Sequence, residues 1–432
     1  MCRSPRRIRA RQSGCERMSS TASTTPMGVI FERRADIVVA LSGIVGATMI
    51  LVYLATIGAS PQGANDFYRE LWPAYQALAA GHVVDFIRTG PPYVGSAVLR
   101  APLAMIPMIW SGSPTQVYFA AALPCVVAAP LLATWLGAQR ARPDGSPRRI
   151  GPMLLCLLSP VVVLAVYGGH PEEILGGVLC VAGVVLAANG EIEWAAVLIG
   201  LAVINKAWAL VAVPVALAAM PDRRLRGAAI TAVTAGIVLI PVTALRLTGG
   251  ATDAHGFALG TSIGTIFNPP ELLWWFGQQS SIVLHARALI VLSAGLCAFL
   301  WWARCARDGP PKDRVADALL LLAMVLLLRC ALDPWNNSYY HVPFIFALLA
   351  YEVRSDRPPV LALLYSLALV VVMPVKGPAH VSDAFQAALY AALVMPLLAW
   401  MAWRLFAPGA SAQSDAAQRS VSILRRSPSP GR

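Results

Sequence analysis

Long apolar segments separated by short polar connections dominate the hydrophobic pattern of this chain. A membrane-spanning helix needs about 20 mainly apolar residues, or somewhat fewer where neighbours shorten it. The pattern predicts helices over 36–58, 115–137, 150–168, 174–188, 227–247, 286–303, 315–331, 358–375 and 383–406. Residues 194–220 fit either one long helix or two short helices, 194–205 and 208–220, that turn at Lys206, and 341–352 fit a helix of about 18 Å.

Composition restricts the class of protein. Of the 432 residues, 57% are hydrophobic and 13% are charged, and the mean hydropathy is +0.63. Soluble globular domains usually carry about 25% charged residues, and disordered chains are far less apolar. The sequence therefore predicts an all-α, polytopic transmembrane bundle.

The distribution of basic residues decides between the two alternatives for 194–220, because short cytoplasmic loops are enriched in Lys and Arg. If 194–220 is a hairpin and 98–110 does not span, most of the 34 basic residues fall on the side of the N-terminal tail. A single span would move every later basic loop to the other side. We therefore expect about twelve segments with both termini cytoplasmic.

The net charge of +12 is thus an orientation signal. Nucleic-acid binding would need a clustered basic face on a folded domain, and none is predicted. The eight cysteines have no metal-ligand spacing and are interpreted as small apolar residues or tail residues.

Three regions are expected from this pattern: a disordered basic tail over 1–35, a transmembrane domain over 36–406, and a second loose tail over 407–432. Two long extracytoplasmic loops, 59–114 and 248–285, lie within the domain. Loops of this length are usually functional or disordered, and these two are too apolar and aromatic to be disordered.

The first loop begins with Asn65-Asp66-Phe67 and continues with Leu71 and Tyr75 at helical spacing, which predicts an amphipathic helix in the outer interface. Asp66 fits an N-cap, for which Asp is favoured. It also fits a general base held at the bilayer surface, and the spacing leaves both open. In the second loop, Asn268–Phe276 predict another interfacial helix.

The segment Gly169-His170-Pro171-Glu172-Glu173 is typical of a helix start, where acidic residues offset the N-terminal dipole. The same His170, Glu172 and Glu173 side chains could instead orient a sugar hydroxyl or bind a divalent cation such as magnesium or manganese.

Two cations and a polar run complete the candidate residues. Lys206 either extends to the outer interface or pairs with a lipid phosphate. Arg329 and Asp333 are one helical turn apart and could pair, and Asn336, Tyr339 and Tyr340 follow. Ionisable groups at membrane depth are costly, which favours a functional role for this run.

These features together resemble the GT-C superfamily of integral-membrane glycosyltransferases, and within it the polyprenol-phosphate-mannose-dependent mannosyltransferases of glycosyltransferase family 87. The resemblance covers about residues 36–405. It depends on the Asp-Phe before an aromatic helix, a Pro-Pro-Tyr stretch with Ala101-Pro102-Leu103, the Gly-His-Pro-Glu-Glu segment, and Ile199–Lys206 leading to Pro214. Where relatives often have a Gly-Gln-x-Asn-like sequence, this chain has Gly169-His170-Pro171-Glu172, and Tyr93 follows the two prolines.

The resemblance implies a polyprenyl-phosphate sugar donor, an extracytoplasmic active site, inversion at the anomeric carbon and an aspartate base, which by position is Asp66. Lys206 and Arg329 would then bind the donor phosphate. The sugar or acceptor would contact His170, Glu172, Glu173, Asp333 and Asn336. Donor sugar, acceptor and any divalent cation stay open, and the other partner is membrane lipid. The resemblance also implies a location in a bacterial plasma membrane.

Two other functions fit the same composition. A transporter or flippase would carry charges near mid-membrane and paired Gly/Pro-interrupted helices, whereas polar residues here gather at the outer ends. A non-catalytic scaffold of an envelope-synthesis complex would keep the aromatic loops and make Asp66, Glu172 and Lys206 dispensable.

Overall fold

The computed structural model describes the chain over residues 26–56, 67–91, 94–138, 158–248, 268–373 and 381–407, together with the single positions 152 and 155. Within these residues the secondary structure is entirely helical, and no strand occurs. Asp66 lies outside the described residues, as do 1–25 and 408–432, so the predictions for that base and for most of the two tails are not addressed by the structure.

The helices follow the apolar segments. In chain order they are α1 Pro26–Thr56, α2 Trp72–Ala79, α3 Val83–Thr89, α4 Val94–Ile109, α5 Pro114–Ala138, α6 Pro160–Tyr167, α7 Glu172–Ala188, α8 Ile192–Asn205, α9 Ala212–Ala219, α10 Arg224–Thr248, α11 Ser281–Leu284, α12 Ala286–Asp308, α13 Arg314–Leu332, α14 Val342–Arg354, α15 Val360–Val372 and α16 Asp383–Phe406. Short 3₁₀ turns precede α9 and α14. Helix α1 begins at Pro26 and so extends into the range expected to be a loose tail.

Five helices of the described chain, α5, α10, α12, α13 and α16, are long and apolar enough to cross a membrane. Apolar helices of 10–17 residues accompany them. Large apolar side chains point away from the protein on α10 and α12, where Ile237 and Leu292 are each 70% exposed. Contiguous exposed apolar surface of this kind is rare on soluble monomers, which agrees with a membrane protein.

The chain reverses direction at Lys206. Helix α8 ends at Asn205, and Lys206 has an extended backbone before the next 3₁₀ turn begins at Ala207. The far ends of the two arms lie together, because a Cβ on Gly227 would meet Met220 Sδ at 2.6 Å and Ile192 Cγ2 at 3.5 Å. Residues 192–220 therefore form the hairpin that the charge pattern predicts.

Basic residues gather at the end of the bundle opposite Lys206. Arg226 pairs with Glu193 at 2.8 Å near the start of α8, and Arg354 pairs with Asp313 at 3.0 Å. Arg224 lies over the Trp302 ring at 5.4 Å, and Arg304 donates to the Leu405 carbonyl. These contacts join the ends of α8, α10, α12, α13, α14 and α16.

The helix predicted after Asp66 consists of a π-helical turn over Phe67–Leu71 followed by α2. Pro73 lies in the first turn of α2. Phe67, Leu71 and Tyr75 are at most 1% exposed. Tyr75 donates to the Ala97 carbonyl at 3.2 Å, and Phe67 packs edge-on against Tyr118. The apolar face is therefore covered by α4 and α5.

The prediction of a helix over 268–276 is wrong, because the helical structure there is limited to a 3₁₀ turn over Trp274–Phe276. Pro269 and Pro270 have no N–H to donate to a helix. The neighbouring N–H groups bond across to the end of α13 instead, from Asn268 to the Pro334 carbonyl at 2.9 Å and from Leu272 to the Ala331 carbonyl at 2.7 Å.

Candidate functional site

Five side chains from four helices or helix ends meet in one buried cluster of charges. Glu172 and Glu173 come from the first turn of α7, Lys206 from the hairpin tip, Arg329 from the last turn of α13 and Arg100 from α4. Both glutamates and Arg100 are fully buried, and Arg329 is 3% exposed. We call these five residues the charge cluster.

Lys206 lies between the two glutamates. Its Nζ is 3.0 Å from Glu172 Oε1 and 2.9 Å from Glu173 Oε1. Its side chain is 11% exposed, so the ammonium is directed to the glutamates and not away from the protein. The attraction is strong because the Coulomb energy grows as the local dielectric constant falls.

The two arginines hold the outer oxygens of the same carboxylates. Arg100 Nη1 is 3.5 Å from Glu172 Oε2, and Arg329 Nη1 is 3.7 Å from Glu173 Oε2. Each glutamate thus has Lys206 on one oxygen and an arginine on the other. Burying an ion is costly unless it is paired, and this alternation pairs every charge in the cluster.

Arg329 is also fixed by aromatic rings. Its guanidinium carbon lies 4.9 Å from the centre of the Trp208 ring and 4.3 Å from that of Tyr340, and Nη1 donates to the Tyr340 carbonyl at 2.9 Å. The ion pair that the spacing allows between Arg329 and Asp333 does not form. Helix α13 ends at Leu332, and the Asp333 carboxylate accepts from the Trp335 N–H at 3.0 Å instead.

Tight backbone packing brings the hairpin tip to the cluster. A Cβ on Gly95 would lie 2.2 Å from the Ile204 carbonyl oxygen, so only glycine allows α4 to approach the end of α8 this closely. The Asn205 amide donates to the Glu172 carbonyl at 2.8 Å. These contacts position Arg100 and Lys206 on either side of the α7 N-terminus.

His170 forms the edge of the cluster that solvent reaches, with an 8% exposed side chain. Its Nδ1 is 3.0 Å from Glu172 Oε1, and its ring stacks on Tyr339 with centroids 4.1 Å apart. Gly169 precedes it with φ of +88°, a left-handed conformation that favours glycine. Together His170 and Lys206 form the accessible side of an otherwise buried cluster.

Asn336 and Asp333 lie on the neighbouring side of Arg329, next to Glu271. Asn336 donates to the Pro270 carbonyl at 2.6 Å. Glu271 is fully buried, and burial together with the Asp333 carboxylate raises its pKa to about 8. Burial also raises the pKa of Tyr340 to about 12.

The structure therefore brings together five of the residues singled out in the sequence, His170, Glu172, Glu173, Lys206 and Arg329, and places Asp333 and Asn336 beside them. Sequence reasoning missed Arg100 and Glu271. An arginine at the centre of the apolar run 94–109 was the available signal for the first, whereas the position of Glu271 after two prolines offered none.

A metal at Glu172 and Glu173 does not fit this geometry. Lys206 Nζ lies where a bridging cation would bind, and in the described part of the chain no three His, Cys, Asp or Glu side chains form a group that could hold a metal ion.

Comparison of the chain with protein-family models, with curated proteins and with solved structures finds no match.

Proposed function

We propose that this protein is a GT-C-type membrane glycosyltransferase with about twelve transmembrane segments and cytoplasmic termini. It transfers a sugar, mannose or another, from a polyprenyl-phosphate donor to an envelope glycolipid or glycan on the extracytoplasmic face. The observation that carries the proposal is the charge cluster, in which three cations meet two carboxylates within 2.9–3.7 Å at the end of the bundle away from the basic loops.

The charge cluster holds three cations and two carboxylates, and its net charge of one positive unit suits a negatively charged donor. A polyprenyl-phosphate sugar carries one negative charge on its phosphodiester, and the departing polyprenyl phosphate gains another as the bond breaks. Cations already fixed by protein partners stabilise that developing charge without reorganising, and such preorganised electrostatics usually contributes more to catalysis than any other single effect. Lys206 would meet the phosphate first, because it is the most exposed of the three cations.

The transfer needs only one further group. Asp66 removes the proton from an acceptor hydroxyl, whose oxygen forms a bond to the anomeric carbon from the face opposite the phosphate. The carbon–oxygen bond to the phosphate breaks, and the electron pair leaves with the polyprenyl phosphate, so the configuration inverts. His170, with Glu172 and Glu173 behind it and Asp333 and Asn336 alongside, would hold the sugar.

The placement of charge favours transfer over transport. A transporter or flippase is expected to carry its polar groups near mid-membrane on several broken helices. The charge cluster lies instead where α7 begins, α8 ends and α13 ends. This arrangement supports a site that opens to one side of the membrane.

The decisive experiment incubates the purified full chain with radiolabelled polyprenyl-phosphate sugars and membrane acceptors. Asp66→Asn should reduce turnover by about 10²–10⁴-fold, the usual contribution of a general base. Asp85→Asn is the matched control, because Asp85 lies in the same loop with a 56% exposed side chain, and it should retain activity.

Full activity of a folded Asp66→Asn variant would refute the base assignment. Absence of turnover with every donor would favour the scaffold, in which Asp66, Glu172 and Lys206 have no catalytic task.

A further inference from the structure

A second group of buried polar side chains lies where the segment 268–273 contacts the end of α13. Asn268 and Leu272 donate backbone bonds to the Pro334 and Ala331 carbonyls. The Asn336 side-chain amide adds a third hydrogen bond by donating to the Pro270 carbonyl at 2.6 Å. They place Glu271 next to the loop that follows α13, where it lies close enough to Asp333 for the two carboxylates to interact electrostatically.

Three buried oxygen atoms in this region have no hydrogen-bond partner among the described residues. Glu271 is 0% exposed, and neither of its carboxylate oxygens has a hydrogen-bond partner among the described residues. Asn336 is 1% exposed, and its Oδ1 also has no hydrogen-bond partner among the described residues. Asp333 uses Oδ1 for the Trp335 N–H, which leaves Oδ2 available.

The neighbouring cation, Arg329, binds other groups. Its Nη1 contacts Glu173 Oε2 and the Tyr340 carbonyl. No ion pair to Glu271 or Asp333 is formed within the described chain. A buried carboxylate without a hydrogen bond or a counter-charge is strongly unfavourable, so a bound cation would stabilise the ionised form of Glu271.

We propose that Glu271, Asp333 and Asn336 form a binding site for a hard divalent cation of the Ca²⁺ or Mg²⁺ type. Carboxylate and amide oxygens are the ligands these ions take, whereas zinc and copper favour nitrogen or sulfur. The set holds two carboxylates, which balance the two charges of the ion, and Asn336 supplies the third side-chain oxygen. The bound ion would join the second outer loop to α13, next to the charge cluster.

The test measures thermal unfolding of the full chain in detergent after treatment with a chelator, with CaCl₂ or MgCl₂ added alone up to about 10 mM. Sites on the outer side of cells bind Ca²⁺ at about 10⁻⁴–10⁻³ M. Such binding should raise Tm by about 2–4 °C. Comparing the two salts identifies the ion.

Glu271→Gln separates binding from folding, because it keeps the shape and removes the charge. This variant should be at least as stable as the parent without metal, and its Tm should no longer respond to either salt. Glu191→Gln is the matched control, since Glu191 is exposed at the opposite end, and it should respond like the parent. No rise in the parent, or an equal rise in Glu271→Gln, would overturn the proposal. Neither result depends on transferase activity.

Discussion

Lys206 Nζ and Glu173 Oε1 lie 2.9 Å apart inside the protein, although 33 residues separate them in the chain. The same ammonium reaches Glu172, so one cation joins the tip of the 192–220 hairpin to the first turn of α7. Because both carboxylates are fully buried, the contact is part of the fold as well as of the proposed phosphate site.

Removal of Lys206 should therefore destabilise the protein. Lys206→Met leaves two buried carboxylates short of a counter-charge, and breaking a buried pair in this way typically lowers the free energy of unfolding by about 3–5 kcal/mol. Chemical or thermal unfolding in detergent measures the loss. The double variant Lys206→Met/Glu173→Gln should recover part of it, since one unpaired charge is also removed.

Arg226→Met provides the control for that prediction. Arg226 pairs with Glu193 at 2.8 Å, but the two side chains are 54% and 49% exposed, and exposed pairs contribute about 0–1 kcal/mol. If Lys206→Met were no more destabilising than Arg226→Met, the charge cluster would not be structural.

Replacement of Gly95 should disturb the site through the backbone. The added Cβ of Gly95→Ala would lie 2.2 Å from the Ile204 carbonyl oxygen, so α4 must move away from the end of α8. Overpacking of this kind typically costs about 1–3 kcal/mol, and transferase activity should fall because Arg100 and Lys206 separate. Gly295→Ala on α12 should be neutral or slightly stabilising, since no atom lies within 4 Å of its Cβ position. Equal Tm values for the two variants would contradict the close approach.

Arg329→Lys should be harmful although the charge is kept. Lysine lacks the planar guanidinium that contacts the Trp208 and Tyr340 rings at 4.9 and 4.3 Å, and such contacts contribute about 0.5–2 kcal/mol each. We expect lower stability and lower transferase activity. Arg88→Lys on α3, an exposed arginine, should match the parent in both assays, and a fully active, stable Arg329→Lys would show that charge alone suffices.

Glu271 should make stability depend on pH when divalent cations are chelated. Its pKa is about 8 in the folded protein against an ordinary value of 4.5, so the unfolded chain releases this proton at lower pH. Between pH 4.5 and 8 the folded state binds more protons, and stability falls as pH rises, by at most about 1.4 kcal/mol per pH unit.

Glu271→Gln should remove this component. Relative to the parent, the variant should gain stability steadily from pH 5 to pH 8, as followed by unfolding in the presence of a chelator. A constant difference between the two proteins across that range would show that Glu271 titrates normally.

Much of the architecture follows from the sequence because it depends on local properties. Apolar length and a low charge content predict an all-helical membrane protein, and the positions of arginines around 223, 307 and 354 predict the reversal at Lys206. The residue types at 170–173, 206 and 329 identify side chains that are costly to bury, and such side chains must find partners somewhere in the fold.

The partners themselves were decided only by the tertiary structure. By spacing, Arg329 could pair with Asp333 one turn away, but α13 ends at Leu332 and Arg329 contacts Glu173 instead. Arg100 joins Glu172 only because Gly95 lets α4 reach the end of α8, and Glu271 is buried only because its segment bonds across to α13. Periodicity and charge act over a few neighbouring residues, whereas these contacts join distant parts of the chain and depend on how whole helices pack.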